Sequence, residues 1–294
     1  MNRTAHSEYH FLEEVFLKPV KASFRDQQTL HNQWQAHNFL NVPDFDKAER
    51  EFQAFRQILE RNGTKILEFH SDNSTTIDSL YCRDASIFTD AGVILCTMGK
   101  PLRCDEPAAC ERHYRSAGVN VLGSIKAPGT VEGGDVAWLD EHTLAVANAY
   151  RTNPEGINQL RSFLNPQGVE VITVDLPHYK GPGDVFHLMS IISPVDKDLA
   201  VVYSPLMPVS FRKYLLNRGI RLVEVPDEEF DTLGCNVLAI APGKCVIEEN
   251  NSVTIQRLHE AGAEVITFSG KHLCVPGGGG PTCLTRPKTR LCSL

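Results

Sequence analysis

Five times along this chain, a helical segment stops at a glycine and a β-branched strand begins at once. The joints read NGTKILEF from Asn62, AGVNVLGS from Ala117, QGVEVITV from Gln167, RGIRLVEV from Arg218 and AGAEVITF from Ala261. Their glycines are Gly63, Gly118, Gly168, Gly219 and Gly262. A helix commonly closes in the left-handed conformation, which only glycine adopts cheaply. The residues after each glycine alternate or run apolar, as strands do. The joints recur about every 50 residues, a period that marks stacked or radially arranged units. An ordinary alternating α/β sheet also ends its helices in glycine. Five similar units leave no obvious centre strand, however, so the expectation is an α/β fold of five repeats closed in a ring.

The helices feeding these joints are expected over Phe45–Asn62, Glu106–Ala117, Pro154–Phe163, Pro208–Asn217 and Ser252–Ala261. Pro154 and Pro208 suit a first helical turn, where a missing N–H costs nothing. Further strands are expected in EEVFLKPV, SLYCRDASIFT, GVILCT, TLAVAN, LAVVYS and CNVLAIAP. Loops are expected over Lys18–Asn41, Lys180–Asp184 and Gly277–Thr282. The first is long, carries Phe24, His31 and Trp34, and reads as a lid or as a segment that Trp34 anchors to the core. No stretch resembles a flexible linker, so residues 1–294 are taken as one domain.

Composition limits the function. The chain has 294 residues, 42% hydrophobic and 22% charged, as globular domains do. A net charge of −7 argues against nucleic acid or an anionic membrane as partner and suits a small cationic substrate. No apolar run approaches the roughly 20 residues of a membrane helix. Acids in MNRTAHSEYHFLEEVF interrupt any secretory leader, so a cytoplasmic location is expected. Nine cysteines without a CxxC pair read as reduced, mostly buried thiols. None of the eleven histidines forms HxH or HExxH, so a metal hydrolase lacks support and no cofactor is expected. A homodimer remains open.

Three segments stand out chemically. Cys283 follows four glycines in VPGGGGPTC. That run lacks the Gly-Lys-Ser/Thr of a phosphate loop, and it lets backbone approach a ligand closely. Glu132 lies in GTVEGGDVAWL, and His187 in GPGDVFHLMSIISP ahead of an apolar strand. Separately, an acid beside Gly-Gly is commonly a turn residue, and a lone histidine is commonly packed or capping. Together they form the set that activates a thiol: cysteine as nucleophile, histidine as proton carrier, carboxylate as orienting charge.

With those residues, the motifs DSLYCRDASIF, GKPLRCDEP, APGTVEGGDV, ANAYRTNPEG, FHLMS and GGGGPTC resemble the guanidine-modifying enzymes of the pentein fold. That fold is a five-bladed α/β propeller of ββαβ units. The chain looks closest to the dimethylarginine dimethylaminohydrolases, with arginine deiminases as near relatives, over about Asp78 to Pro287. The resemblance implies Cys283 as nucleophile, His187 as general acid/base and Glu132 as the acid of the triad. It implies Asp78 and Asp84 as guanidinium holders, and Arg103 and Arg151 as binders of an amino acid's carboxylate. Three positions mix the subfamilies. Arg83 stands where dimethylargininases have an acid, Met189 where arginine deiminases have one, and Thr282 where the latter have arginine. The expected reaction is hydrolysis of arginine or an N-methylated arginine to a citrulline-type product through a covalent cysteine intermediate. The alternatives are an amidinotransferase and a non-catalytic binding protein of the same fold.

Overall fold

A computed structural model describes residues 2–184 and 186–292. The chain forms five small sheets, and four of them are built alike. The first sheet begins with β1 (Arg3–Thr4), β2 (Phe11–Leu17) and β3 (Lys65–Glu68). The second contains β4 (Ser86–Thr89), β5 (Gly92–Leu95) and β6 (Val121–Ser124). The third contains β7 (Val136–Asp140), β8 (Thr143–Asn148) and β9 (Glu170–Asp175), and the fourth β10 (Ile192–Asp196), β11 (Leu199–Val202) and β12 (Arg221–Glu224). The fifth contains β13 (Leu238–Ala241), β14 (Lys244–Glu248) and β15 (Glu264–Phe268). In the last four, the first two strands pair antiparallel and the third returns parallel to the second. The final strand, β16 (Thr285–Leu291), runs back to the first sheet and lies between β1 and β2.

The helices lie where the joints place them. Besides α1 (Val20–Ser23) and α2 (Gln27–Gln33), they are α3 (Phe45–Arg61), α4 (Glu106–Ser116), α5 (Pro154–Leu164), α6 (Val209–Asn217), α7 (Asp227–Phe230) and α8 (Ser252–Glu260). All five joint glycines have positive φ, between 71° and 91°. In α3, Asp44 caps the first turn by accepting from the Lys47 N–H at 3.0 Å. Ala48, Phe52, Phe55 and Leu59, spaced by four and three residues, form its buried face.

Two expectations are corrected. Within SLYCRDASIFT, only Ser86–Thr89 is a strand. Ile77–Leu80 is a single 3-10 turn, and the chain stays irregular to Ala85 because Asp78, Arg83 and Asp84 turn into polar networks. The segment from Lys18 to Asn41 is not a structureless loop. It contains α1 and α2, and Val20, Phe24 and Leu30 are wholly buried. Those side chains pack it on the core, with Trp34 partly buried against the same cluster. No described helix is long and apolar enough to cross a membrane.

Candidate active site

Segments that precede β4 and β10, follow β5 and β8, and join β15 to β16 converge on one narrow cavity. It is lined by Asp78, Tyr81, Asp84, Lys100, Arg103, Arg151, His187, Gly277, Gly278, Gly279 and Cys283. Six of the seven expected site residues therefore face one space. The seventh, Glu132, is wholly buried directly behind His187.

Glu132 stands immediately before the 3-10 turn Gly133–Asp135 that leads into β7. Oε2 of Glu132 meets His187 Nε2 at 2.8 Å, while Oε1 accepts from the backbone N–H groups of Gly99 and Lys100, both at 3.0 Å. Arg151 Nη1 lies 3.5 Å from Oε1. Burial alone would raise the Glu132 carboxyl; the His187 hydrogen bond and the charges of His187, Arg151 and Arg103 outweigh it and hold the group well below its usual range. Burial likewise would lower His187, but the carboxylates of Asp135, Asp84 and Glu132 raise it above its ordinary value. The pair is thus an imidazolium–carboxylate ion pair at neutral pH.

The Gly-Gly after Glu132 is a packing requirement. A Cβ on Gly134 would stand 2.6 Å from His187 Nδ1 and 2.8 Å from Asp84 Oδ1. The Gly134 N–H donates to that Asp84 oxygen at 2.9 Å. The imidazole and the acid therefore share a wall that admits no side chain.

The two acids expected to hold a guanidinium already have cationic partners. Asp84 Oδ2 accepts from Arg103 Nη1 at 2.6 Å. Asp78 Oδ2 meets Lys100 Nζ and, at 2.9 Å, His37 Nδ1. Burial would raise Asp78, but His37, Arg103 and Lys100 hold it down at about 2. Arg103 is itself gripped in a fork by both Glu106 oxygens at 2.8 Å. Its guanidinium orients Asp84, whereas Arg151 is held only loosely, with Nη2 at 3.3 Å from the Asp184 carbonyl.

Cys283 lies in a turn just before β16, half-buried. The glycine run has a packing origin: a Cβ on Gly277 or Gly279 would strike the Tyr81 ring, and one on Gly280 would strike Asn236. Asn236 Nδ2 donates to Cys283 Sγ at 3.2 Å, and its Oδ1 accepts from the Thr282 N–H and Oγ1 at 3.0 and 2.8 Å. Burial, then the Asp84 charge, push the thiol up, partly offset by Asn236, Thr282 and Arg83. Beside Cys283 and His187 opens a wider antechamber whose walls include Tyr179, Phe186, Phe230 and Leu233.

Sequence reading missed Asn236, Lys100, His37 and Glu106. Lys100 and Glu106 flank Arg103 within GKPLRCDEP, so the motif contained them without distinguishing their roles. Nothing local marks Asn236 or His37. Arg83, one of the mixed positions, is turned away from the cavity and bonds Glu8 at 2.6 Å. Donor atoms of Asp84, Glu132 and His187 lie within 4.8 Å of one another, as do those of His10, Glu141 and Cys292. In the first set, hydrogen bonds among the residues and to Arg103 and Gly134 account for that approach.

Solved structures of similar shape come from guanidine chemistry. A dimethylarginine dimethylaminohydrolase from Pseudomonas aeruginosa, complexed with citrulline, matches with a TM-score of 0.74 at 19% identity, over 94% of this chain and 98% of that one. An amidinotransferase of saxitoxin biosynthesis from Microseira wollei matches with 0.78 at 18% identity, over 99% and 98%. The arginine deiminase of Mycobacterium avium is 29% identical over 263 residues, 76% of this chain and 64% of the relative. This chain thus spans just under two-thirds of the length of that curated relative. The chain is a pentein-superfamily protein of the dimethylargininase and arginine deiminase group. More narrowly, it belongs to the eukaryotic N,N-dimethylarginine dimethylhydrolase family, whose model matches residues 18–290.

Proposed function

We propose that the chain hydrolyses a C–N bond of a substituted guanidinium, arginine or an N-methylated arginine, giving a citrulline-type urea and ammonia or a methylamine. The observation that carries this reading is the cavity shared by a thiol, an ion-paired imidazole, two acids and two arginines. Citrulline bound to the Pseudomonas aeruginosa relative agrees with it.

A guanidinium is protonated at neutral pH and a poor electrophile. Asp84 and Asp78 supply the negative wall that accepts its N–H groups, and Arg151 meets the substrate's carboxylate, whereas Arg103, bonded to Asp84, Glu106 and the Tyr81 carbonyl, holds Asp84 in place instead of binding that carboxylate. Cys283 Sγ, as thiolate, attacks the guanidinium carbon. As the C–N bond breaks, the leaving nitrogen takes its proton from His187, and the amidino carbon stays on sulfur. Water then attacks that carbon while neutral His187 takes its proton. The C–S bond breaks as the remaining hydroxyl proton passes to solvent, returning the Cys283 thiolate and releasing the urea. Glu132 keeps the imidazolium oriented throughout. Since the resting thiol is pushed up and His187 already carries its proton, the arriving cation favours the thiolate form and the thiol proton passes to solvent.

Residues 1–294 act as one catalytic unit in this reading, with the five sheets closed as a five-bladed propeller. Nine free cysteines suit a reducing compartment, the cytoplasm. The test is Cys283→Ser assayed with arginine, monomethylarginine and dimethylarginine. Loss of urea-type product is expected, together with loss of a mass adduct on the Cys283 peptide after acid quench. Retained turnover would remove the nucleophile assignment.

A second reading is amidino transfer to an amine, favoured by the near-complete overlap with the Microseira wollei enzyme. Product formation without any amine acceptor excludes it as the main activity.

A further inference from the structure

Beneath the cavity, three arginines lie buried around one glutamate. Arg83 is 0% exposed, Arg290 1% and Arg286 3%, and Glu8 is 5% exposed. Glu8 bonds Arg83 Nη2 at 2.6 Å. Arg286 Nη1 donates to the carbonyls of Ser86 at 2.6 Å and Arg83 at 3.2 Å. Arg290 Nη1 donates to the carbonyls of His10 and Ala239, the latter at 2.9 Å. The cluster therefore ties β16 to the residues bordering β4, to β13 and to the entry of β2.

These bonds leave a surplus of charge and of donors. Nε and Nη1 of Arg83, Nε of Arg286, and Nε and Nη2 of Arg290 are buried without a partner among the described residues. Three guanidinium groups face one carboxylate, and carbonyl oxygens satisfy N–H groups without neutralising charge. Holding unpaired charge out of water is strongly unfavourable. Burial and mutual repulsion push Arg286 and Arg290 down to about 10, with Glu8 only partly offsetting it.

We propose that the Arg83–Arg286–Arg290 cluster binds a small inorganic anion of halide size. A halide has no directional demand, accepts from several N–H groups at once, and adds the second negative charge that Glu8 alone does not provide. The anion stabilises the fold and does not touch substrate. It lies on the side of Arg83 away from the cavity, and the Arg83 N–H holds the Cys283 carbonyl at 3.2 Å. Its loss therefore loosens the Cys283 turn.

The test uses the unaltered full chain. At fixed ionic strength, methanesulfonate is replaced stepwise by chloride or bromide and thermal melting is followed. A saturable rise in Tm with the logarithm of halide is expected, following single-site linkage. Crystals in bromide are expected to give one anomalous peak amid the three guanidinium groups. Arg290→Gln should weaken the apparent halide affinity at least tenfold, and Glu8→Gln, which leaves the cations less neutralised, should strengthen it. Equal melting in both salts overturns the proposal. So do bromide peaks at surface sites only, or ordered water in the cluster in their place. Phosphate stabilising the chain where bromide does not overturns the halide assignment. The melting and diffraction arms need no variant, so they stand even where a substitution prevents folding.

Discussion

At the residue scale, the Glu132–His187 pair makes a prediction with a definite sign. His187 is held above its ordinary value, so its share of stability is complete below roughly pH 6.5 and lost as pH rises through the raised value. Glu132 is held below its ordinary value, so its share is complete above roughly pH 4.3 and lost as pH falls through the depressed one. The ion pair thus persists from mildly acid through neutral pH. In Glu132→Gln, the imidazole loses its nearest anion, so the alkaline limb of the pH–rate profile should move to lower pH. Turnover near neutrality should fall about 100-fold or more. An unmoved limb would assign that limb to a group other than His187. Gly134→Ala probes the shared wall from the other side. Its Cβ would overlap His187 Nδ1 and Asp84 Oδ1, so activity should collapse while the far-UV spectrum stays native. Cys283, Glu132 and His187 were legible because each stands in an unusual local setting beside glycines or turn residues. Asn236 was not legible: it is one asparagine in an ordinary apolar stretch, and only tertiary folding brings it 3.2 Å from Sγ.

At the element scale, legibility followed periodicity. The helix α3 was readable from its apolar spacing and the glycine after it, and its energetics follow from the same pattern. Phe52→Ala should cost about 3–5 kcal/mol, because the side chain lies wholly in the core beside Phe55 and Leu59. Asp44→Ala should cost about 1 kcal/mol by removing the cap on Lys47 N–H. Chemical denaturation of the two variants would rank them, and a cap effect as large as the core effect would contradict the burial pattern. The strand β16 escaped sequence reading for a physical reason. TRPKTRL carries three cationic side chains and a proline, so it has neither the alternation nor the apolar run of a strand. It is nonetheless a strand because β2 supplies backbone partners and because Arg286 and Arg290 are buried by carbonyl oxygens from other segments. The opposite error occurred in SLYCRDASIFT, whose apolar letters suggested more strand than its buried acids and arginine permit.

At the scale of the whole molecule, the repeat predicted five units but not how the first is completed. That unit takes its added strand from the far end of the sequence, with Arg3 opposite Leu291 and the Cys292 N–H donating to the Asn2 carbonyl at 3.0 Å. The two ends of the described chain therefore meet in one sheet, and their covalent separation is not needed by the fold. A circular permutant follows, with a short Gly/Ser bridge joining the ends and new termini opened between Lys197 and Asp198. Those residues form the turn between β10 and β11, at the end of β10 away from His187. The antiparallel register on either side of the cut remains tied through Pro194 and Ala200. Each other sheet keeps its own antiparallel and parallel pairs, so only one hairpin loses its covalent turn. The permutant should retain the native circular dichroism spectrum and turnover, with Tm lowered by only a few degrees, since loop connectivity contributes slowly with length. A second cut between Cys283 and β16 gives the contrast. It frees the turn holding the thiol and separates Arg83 N–H from its Cys283 acceptor, so turnover should vanish even where the sheets still form. Comparable activity in both permutants would mean that β16 closes the first sheet without positioning Cys283.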